Sequence, residues 1–279
     1  MTDNANLIQG SPEWHEARMG KITGTGFHKV LSKKGNTRKH YMRELILERK
    51  TGISTESFTN AEMEWGTQNE PMAREYYEKV NYGRVKIKQV GFINYQPESQ
   101  AERVEFAEYV GVSPDGLVET LEADDGVIEI KCPNTSTHLG YMASRILPSK
   151  YKSQVQGILW VTKRKWCDFI SFDPRVEKQP FCCINVKRDE EYINNLKQEV
   201  SKFIDEMVKM QNEIKDVDPQ LLIDVTGGCS EEEWLESRQM EIRGKVRHGV
   251  VCAIISTGNF EDLNKDFINK WVDFIVTGE

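Results

Sequence analysis

Asp115, Glu129 and Lys131 are the residues whose types and spacing could do chemistry. Asp115 sits in Ser113-Pro114-Asp115, and thirteen residues later comes Glu129-Ile130-Lys131. Side chains at i and i+2 of a strand fall on one face. A strand over Val127–Lys131 therefore projects Glu129 and Lys131 together, and an aspartate at the mouth of the adjoining strand would join them. Two acids and an amine held close are costly unless something neutralises the carboxylates. Hard divalent cations with oxygen ligands, Mg2+ above all, do this. The chemistry such a group could perform is metal-dependent hydrolysis of a phosphodiester. Asp115 and Glu129 would hold the cations with help from the backbone carbonyl of Ile130, and a cation-bound water loses its proton more readily. Lys131 would orient or activate that water and add positive charge near the transition state. Glu70 is a candidate third carboxylate, and the Gln154 amide could fix the attacking water or a phosphate oxygen.

The elements that must position these residues follow from pattern. Ser11 as N-cap and Pro12 at the first helical position predict a short helix to about Met19, stopped by Gly20. Two more helices are expected over Thr23–Leu31 and Thr37–Arg49, separated by a polar, Gly-containing stretch. A fourth lies within Glu62–Val80, with Glu70, Ala73 and Tyr77 on one side, and Pro71 sets its firm start near Asn69 or Glu70. Short strands are then expected in Val85–Asn94, Phe106–Val112 and Val127–Lys131. A helix over Tyr151–Thr162, strands over Trp166–Phe172 and Phe181–Val186, and a long helix over Glu190–Met210 complete a mixed α/β domain.

Composition narrows the function. The chain has 279 residues, 38% of them hydrophobic, with a formal net charge of -7, an ordinary globular balance. Its most apolar stretch, Val250–Ile255, is far shorter than the roughly 20 residues that span a bilayer. The first ten residues carry neither a basic n-region nor an apolar h-region, so a cytosolic protein is expected. The six cysteines form no Cys-x-x-Cys pair, which gives no sign of a zinc site or a redox dithiol. Phosphate-binding P-loop, dinucleotide and nucleophile-elbow motifs are absent too.

Charge divides unevenly. Residues 215–279 hold 7 basic and 13 acidic residues, leaving 30 and 31 for residues 1–214. The first part is nearly neutral and can present a local basic surface to nucleic acid. A boundary is expected near Asp216–Pro219, giving a core over 1–216 and an acidic, mostly helical extension over 217–279. In that extension Ser230 and Glu233 form a capping box that opens a helix to about Val246, and Asn259–Ile275 forms a second.

Each residue also has an ordinary reading. Pro-Asp-Gly makes turns, Val-Ile-Glu-Ile-Lys makes a half-exposed strand, and Glu70 suits the first turn of a helix. By default Arg18 is a solvated helix-end charge and Thr25 a structural hydroxyl.

Taken together the motifs carry more. Trp14-His15-Glu16-Ala17-Arg18 with Gly20-Lys21-Ile22-Thr23-Gly24-Thr25, then Glu64-Trp65-Gly66-Thr67-Gln68-Asn69-Glu70, then Ser113-Pro114-Asp115-Gly116-Leu117, Glu129-Ile130-Lys131-Cys132-Pro133 and Tyr151-Lys152-Ser153-Gln154-Val155-Gln156 stand in order. With Asp173-Pro174-Arg175 and Arg188-Asp189-Glu190, they resemble the lambda exonuclease and YqaJ-type viral recombinase family of PD-(D/E)xK nucleases over roughly residues 11–212. The resemblance implies a restriction-endonuclease-like α/β core with a central mixed sheet flanked by helices. It implies a double-stranded DNA exonuclease that degrades the 5'-ended strand, releases mononucleotides and leaves 3' single-stranded tails for recombination by strand annealing.

By the same resemblance, Asp115, Glu129 and the Ile130 carbonyl match ligands of two Mg2+ or Mn2+ ions. Lys131 and Gln154 match catalytic positions, and Glu70 matches the acid on the preceding helix. Arg18, Thr25 and Ser113 fall where the family receives the 5'-phosphate, and a guanidinium with two hydroxyls suits an anion. Thr25 departs from the serine of the pattern but keeps the hydroxyl. Ring-shaped homotrimers, duplex DNA ends as substrate, a single-strand annealing protein as partner and, for a phage-encoded chain, the cytoplasm of a bacterial host are further implications. The acidic residues from Asp216 onward depart from the pattern and suit docking of a partner or subunit. Two other readings use the same residues: an endonuclease with this metal site, and a DNA-end binding scaffold that no longer cuts. Intact Asp115, Glu129 and Lys131 count against the scaffold, because buried negative charge hinders phosphate binding.

Overall fold

A computed structural model describes residues 4–33, 35–52, 54–55, 61–97, 106–120 and 125–215. The chain divides into two units, Met1–Gln211 and Asn212–Glu279. The helices expected over Ser230–Val246 and Asn259–Ile275 lie outside the described residues.

The chain opens with α1 (Pro12–Arg18), where Ser11 Oγ accepts the Trp14 amide at 3.2 Å and proline occupies the first turn. The expected helix over Thr23–Leu31 is a 3-10 turn, Gly24–Gly26, running into the single turn α2 (Phe27–Val30). Two glycines dilute helix propensity there, so only packing of the apolar end closes a turn. Then come α3 (Thr37–Thr51), which ends on Gly52 in the left-handed conformation at φ 66, and α4 (Ala61–Val80).

The proline-based start of α4 needs correction, because Pro71 lies in the middle of the helix. A mid-helix proline loses one amide and disturbs the preceding turn. Here Asn69, nearly fully buried, donates from Nδ2 to the Trp65 carbonyl at 2.7 Å in that turn. Ala73 and Tyr77, buried on the other side of the proline, hold the helix to the sheet.

After α4 follow β1 (Val85–Lys88), β2 (Ile93–Asn94), α5 (Phe106–Tyr109), β3 (Gly111–Val112), β4 (Gly116–Thr120) and β5 (Gly126–Lys131). The strand expected over Phe106–Val112 is corrected to the helical turn α5 followed by the two-residue β3. Phe106, Tyr109 and Val110 are all buried, and a period-2 strand would turn one of them to solvent. Then α6 (Thr135–Ser144), α7 (Ser149–Thr162), β6 (Trp166–Phe172), β7 (Phe181–Lys187) and α8 (Glu190–Lys215) complete the order.

The main sheet has the order β1-β4-β5-β6-β7, with β5 and β6 parallel and every other pair antiparallel. Helix α4 covers one face, where Ala73 and Tyr77 meet Val118, Ile128, Ile130 and Ile170. The other face carries the larger core, in which α7 (Val155, Ile158, Leu159) packs with Val127 and Phe169 of the sheet. Helix α8 closes this layer through Ile193, Leu196, Val200, Phe203, Ile204 and Met207, a fully buried stripe at helical spacing. At Gly157 an added Cβ would stand 2.2 Å from the Phe27 ring. The lost propensity of a mid-helix glycine is thereby exchanged for close approach of α7 to α2.

Candidate active site

Register sets the site. Asp115 immediately precedes β4, and Gly116 of β4 pairs with Ile128 of β5, so Asp115 stands beside the Glu129 end of the neighbouring strand. Asp115 Oδ2 accepts the Ile130 amide at 2.6 Å, which pins the aspartate to β5. Glu129 is 1% exposed. Its Oε1 accepts Lys131 Nζ at 2.5 Å and Gln154 Nε2, from the covering helix α7, at 2.5 Å. Glu129, Lys131 and Gln154 thus meet at one oxygen. Glu70 of α4 joins them through charge, and lies 3.7 Å from Arg74 one turn later. Arg74 Nη1 also reaches the Asp115 carbonyl at 3.4 Å.

A cleft of about 760 Å³ opens over this group, lined by Glu70, Ile130, Lys131, Gln154, Thr25 and Arg175 among others. Burial pushes Glu129 up to about 7, with the Asp115 and Glu70 charges adding to it and Lys131 opposing. Glu70 rises to about 7, first from burial and then from the Asp115 charge, against Arg74 and Lys131. Asp115 is raised by burial, with Lys131, the Ile130 amide and Arg74 pulling it back. For Lys131, burial favours the neutral amine, but the Glu129 and Asp115 carboxylates overcome this and hold it above the usual lysine range. Burial lifts the neighbouring Cys132 thiol to about 12, helped by the Glu70 and Asp115 charges.

The residues fit a hard cation. Glu129 Oε2 is buried and accepts no hydrogen bond among the described residues, and a buried acceptor left without a partner is costly. Among the described residues no three His, Cys, Asp or Glu side chains gather as one ligand set. The oxygens that would be on offer to a cation are the two carboxylates of Asp115 and Glu129 and the Ile130 carbonyl. Mg2+, which keeps several waters and takes one or two carboxylates, accepts such a set. Glu70 adds its charge to this group from α4, where Arg74 lies 3.7 Å away.

The three residues expected at the 5'-phosphate are less tightly grouped. Arg18 and Thr25 line a smaller cavity of about 110 Å³ together with His15, Lys21 and Lys29. Thr25 also lines the larger cleft, so it lies where the two adjoin. Ser113 lines neither cavity; its Oγ accepts Trp14 Nε1 at 2.9 Å, and the Arg18 guanidinium lies 4.0 Å above the same Trp14 ring. Trp14 is what links Ser113 to Arg18, a contact no sequence spacing discloses. Arg74, which the sequence motifs do not single out, stands at i+4 from Glu70, a readable signal. Arg175 lines the larger cleft. Its guanidinium lies 4.5 Å above the Trp65 ring and forks onto the fully buried Asp173.

Fold and site together are those of a PD-(D/E)xK-type α/β core: a mixed sheet flanked by helices, with acids clustered where its central strands end. The YqaJ-like viral recombinase domain matches residues 13–165, and this chain belongs to that family. An alkaline exonuclease of Laribacter hongkongensis, LHK-Exo, is 35% identical; the match covers 74% of this chain and 96% of that one, with a TM-score of 0.63. The structure of LHK-Exo in complex with dAMP matches at the same identity and coverage with a TM-score of 0.64. ExoD of Escherichia coli (strain K12) is 31% identical over 68 residues, 24% of this chain and 78% of that protein. Among the described residues no helix is long and apolar enough to cross a membrane.

Proposed function

We propose that this chain is a metal-dependent 5'-to-3' exonuclease of double-stranded DNA that releases 5'-mononucleotides and leaves 3' single-stranded tails for recombination. The observation that carries this is Glu129: a carboxylate buried to 1%, with one oxygen held by Lys131 and Gln154 and the other unpartnered among the described residues. Membership of a viral recombinase family, and likeness at 35% identity to an alkaline exonuclease whose structure holds dAMP, support a nuclease that yields nucleotides.

Asp115, Glu129 and the Ile130 carbonyl would hold two Mg2+ or Mn2+ ions, which supply an acidified water and neutralise charge on the phosphate. The chain's own groups do the rest. The Ile130 amide fixes Asp115. Gln154 and Lys131 fix the inner oxygen of Glu129, leaving the outer one for the cation. Lys131, held by its carboxylate neighbours, orients or activates the attacking water and adds positive charge near the transition state. Glu70 adds a third negative charge to the same cleft. Arg18, Thr25 and Ser113 receive the terminal 5'-phosphate, and an anchored end decides which phosphodiester meets the carboxylates.

The same reading extends to a ring-shaped homotrimer acting on duplex ends with a single-strand annealing protein, in the cytoplasm of a bacterial host. Family membership supports residues 1–216 as the nuclease core, and the acidic charge of residues 217–279 suits subunit or partner docking. Linear duplex labelled at the 5' or the 3' end, with a closed circular control, tests the reaction. The expected result in Mg2+ is immediate release of the 5' label as a mononucleotide, late release of the 3' label and an intact circle. Cutting of the circle would instead identify an endonuclease, and end binding without cleavage a scaffold.

A further inference from the structure

The outermost strand of the sheet carries a cationic series that the site does not use. In β1, Val85 and Ile87 pack inward while Lys86 and Lys88 are exposed, and Arg84, which immediately precedes the strand, is exposed as well. Lys88 pairs with Leu117 and Lys86 with Glu119, while Leu117 pairs on its other side with Val127 of β5. Residues directly opposite one another share a face, and so do residues two apart on one strand. Lys86 and Lys88 therefore lie on the same face of the sheet as Glu129 and Lys131, two strands away and about 10 Å to the side. Arg84 extends the series away from the catalytic end.

Charge on an edge strand often serves only to prevent edge-to-edge pairing. This edge is already blunted, because Glu78 of α4 takes the Ile87 amide at 3.1 Å. The acids nearby leave the series cationic. Glu78 is turned to that amide, Glu75 faces Lys79 at 3.7 Å, and among the described residues Glu119 sits across from the series, beside Lys86. Lysines two apart on a strand are about 7 Å apart, a spacing suited to successive phosphates of one nucleic-acid strand.

We propose that Arg84, Lys86 and Lys88 form a track for the phosphate backbone of the DNA duplex that flanks the cleft. This rests on the nuclease reading above and adds to it the surface that holds the uncut duplex. Each phosphate neutralised contributes about 0.9 to the slope of log affinity against log salt, so three contacts contribute about 3. The test is duplex affinity across a salt series, measured in EDTA with the full chain, the R84Q/K86Q/K88Q variant and the R84K/K86R/K88R variant. The expected result is a slope shallower by about 3 in the glutamine variant and unchanged in the charge-retaining one. Equal slopes in wild type and glutamine variant overturn the track even where wild type cleaves DNA in Mg2+. A wild type that neither binds nor cleaves duplex overturns the nuclease reading with it.

Discussion

Gln154 reaches from helix α7 to Glu129 on β5 and donates Nε2 to the carboxylate oxygen that also accepts Lys131. A neutral amide is thereby committed to a buried carboxylate, and it leaves the other oxygen for a cation. Truncating Gln154 to Ala releases Glu129 to rotate and frees its inner oxygen. Loss of one oriented donor of this type costs on the order of 10²-fold in kcat. Steady-state hydrolysis of linear duplex by Gln154→Ala is expected to show that loss in kcat, with KM little changed. A wild-type kcat would remove Gln154 from the mechanism.

The acidic cluster makes the metal-free protein pH-sensitive. Glu70 and Glu129 are raised to about 7 from an ordinary 4.5. A raised carboxylate leaves stability intact below its unfolded value and removes it as pH climbs through the folded value. In EDTA, Tm should therefore fall between pH 5 and pH 8. A cation that binds only the ionised native site restores stability there, so Mg2+ should raise Tm more at pH 8 than at pH 5. Glu129→Gln should flatten the fall in EDTA. Thermal melts over this range that are equally flat with and without Mg2+ would contradict the assignment.

Gly157 lets the catalytic helix approach Phe27 of α2. A methyl group there meets the Phe27 ring at 2.2 Å, and overpacking of this kind costs about 1–3 kcal/mol. Gly157→Ala is expected to lose that much in urea unfolding. It should also lower kcat, because α7 carries Gln154 and would have to move. Full stability would show that Phe27 yields at no cost.

Glu48 organises the approach to Arg18. It is buried, and its carboxylate accepts the Gly20 amide at 2.8 Å, the Thr55 amide at 2.8 Å and Thr55 Oγ1 at 2.6 Å. Removing a buried charged acceptor leaves these donors unsatisfied, at about 3 kcal/mol. Glu48→Ala should lose stability by that amount. It should also narrow the rate preference for 5'-phosphorylated over 5'-hydroxyl ends, since Glu48, Arg18 and Thr25 line one cavity. An unchanged preference would separate this cavity from end recognition.

Much of the scaffold was legible because its signals are local. Ser11-Pro12 marks α1, and short runs rich in aromatic and β-branched residues mark β5, β6 and β7. Strand β4 escaped because Gly116-Leu117 continues a Pro-Asp-Gly turn signal. Helix α6 escaped because Thr135–Ser144 is rich in Thr, Ser and Gly, all modest helix formers; only the Asn134 cap, which accepts the Thr137 amide, announces it. For the site, the two-residue spacing of Glu129 and Lys131 revealed a shared face. Their meeting with Gln154, and the bond from Ile130 to Asp115, depend on how α7 and β4 pack, which no local pattern encodes. The link from Ser113 through Trp14 to Arg18 is likewise tertiary.

The most direct test of the central claim compares wild type with Lys131→Ala and Glu129→Gln on linear duplex bearing 5'-phosphate or 5'-hydroxyl ends, in Mg2+ and in EDTA. The account predicts mononucleotide release by wild type in Mg2+ only, faster from the 5'-phosphate, and a loss of at least about 10²-fold in both variants. Release that persists in EDTA, or that survives both substitutions, would contradict it.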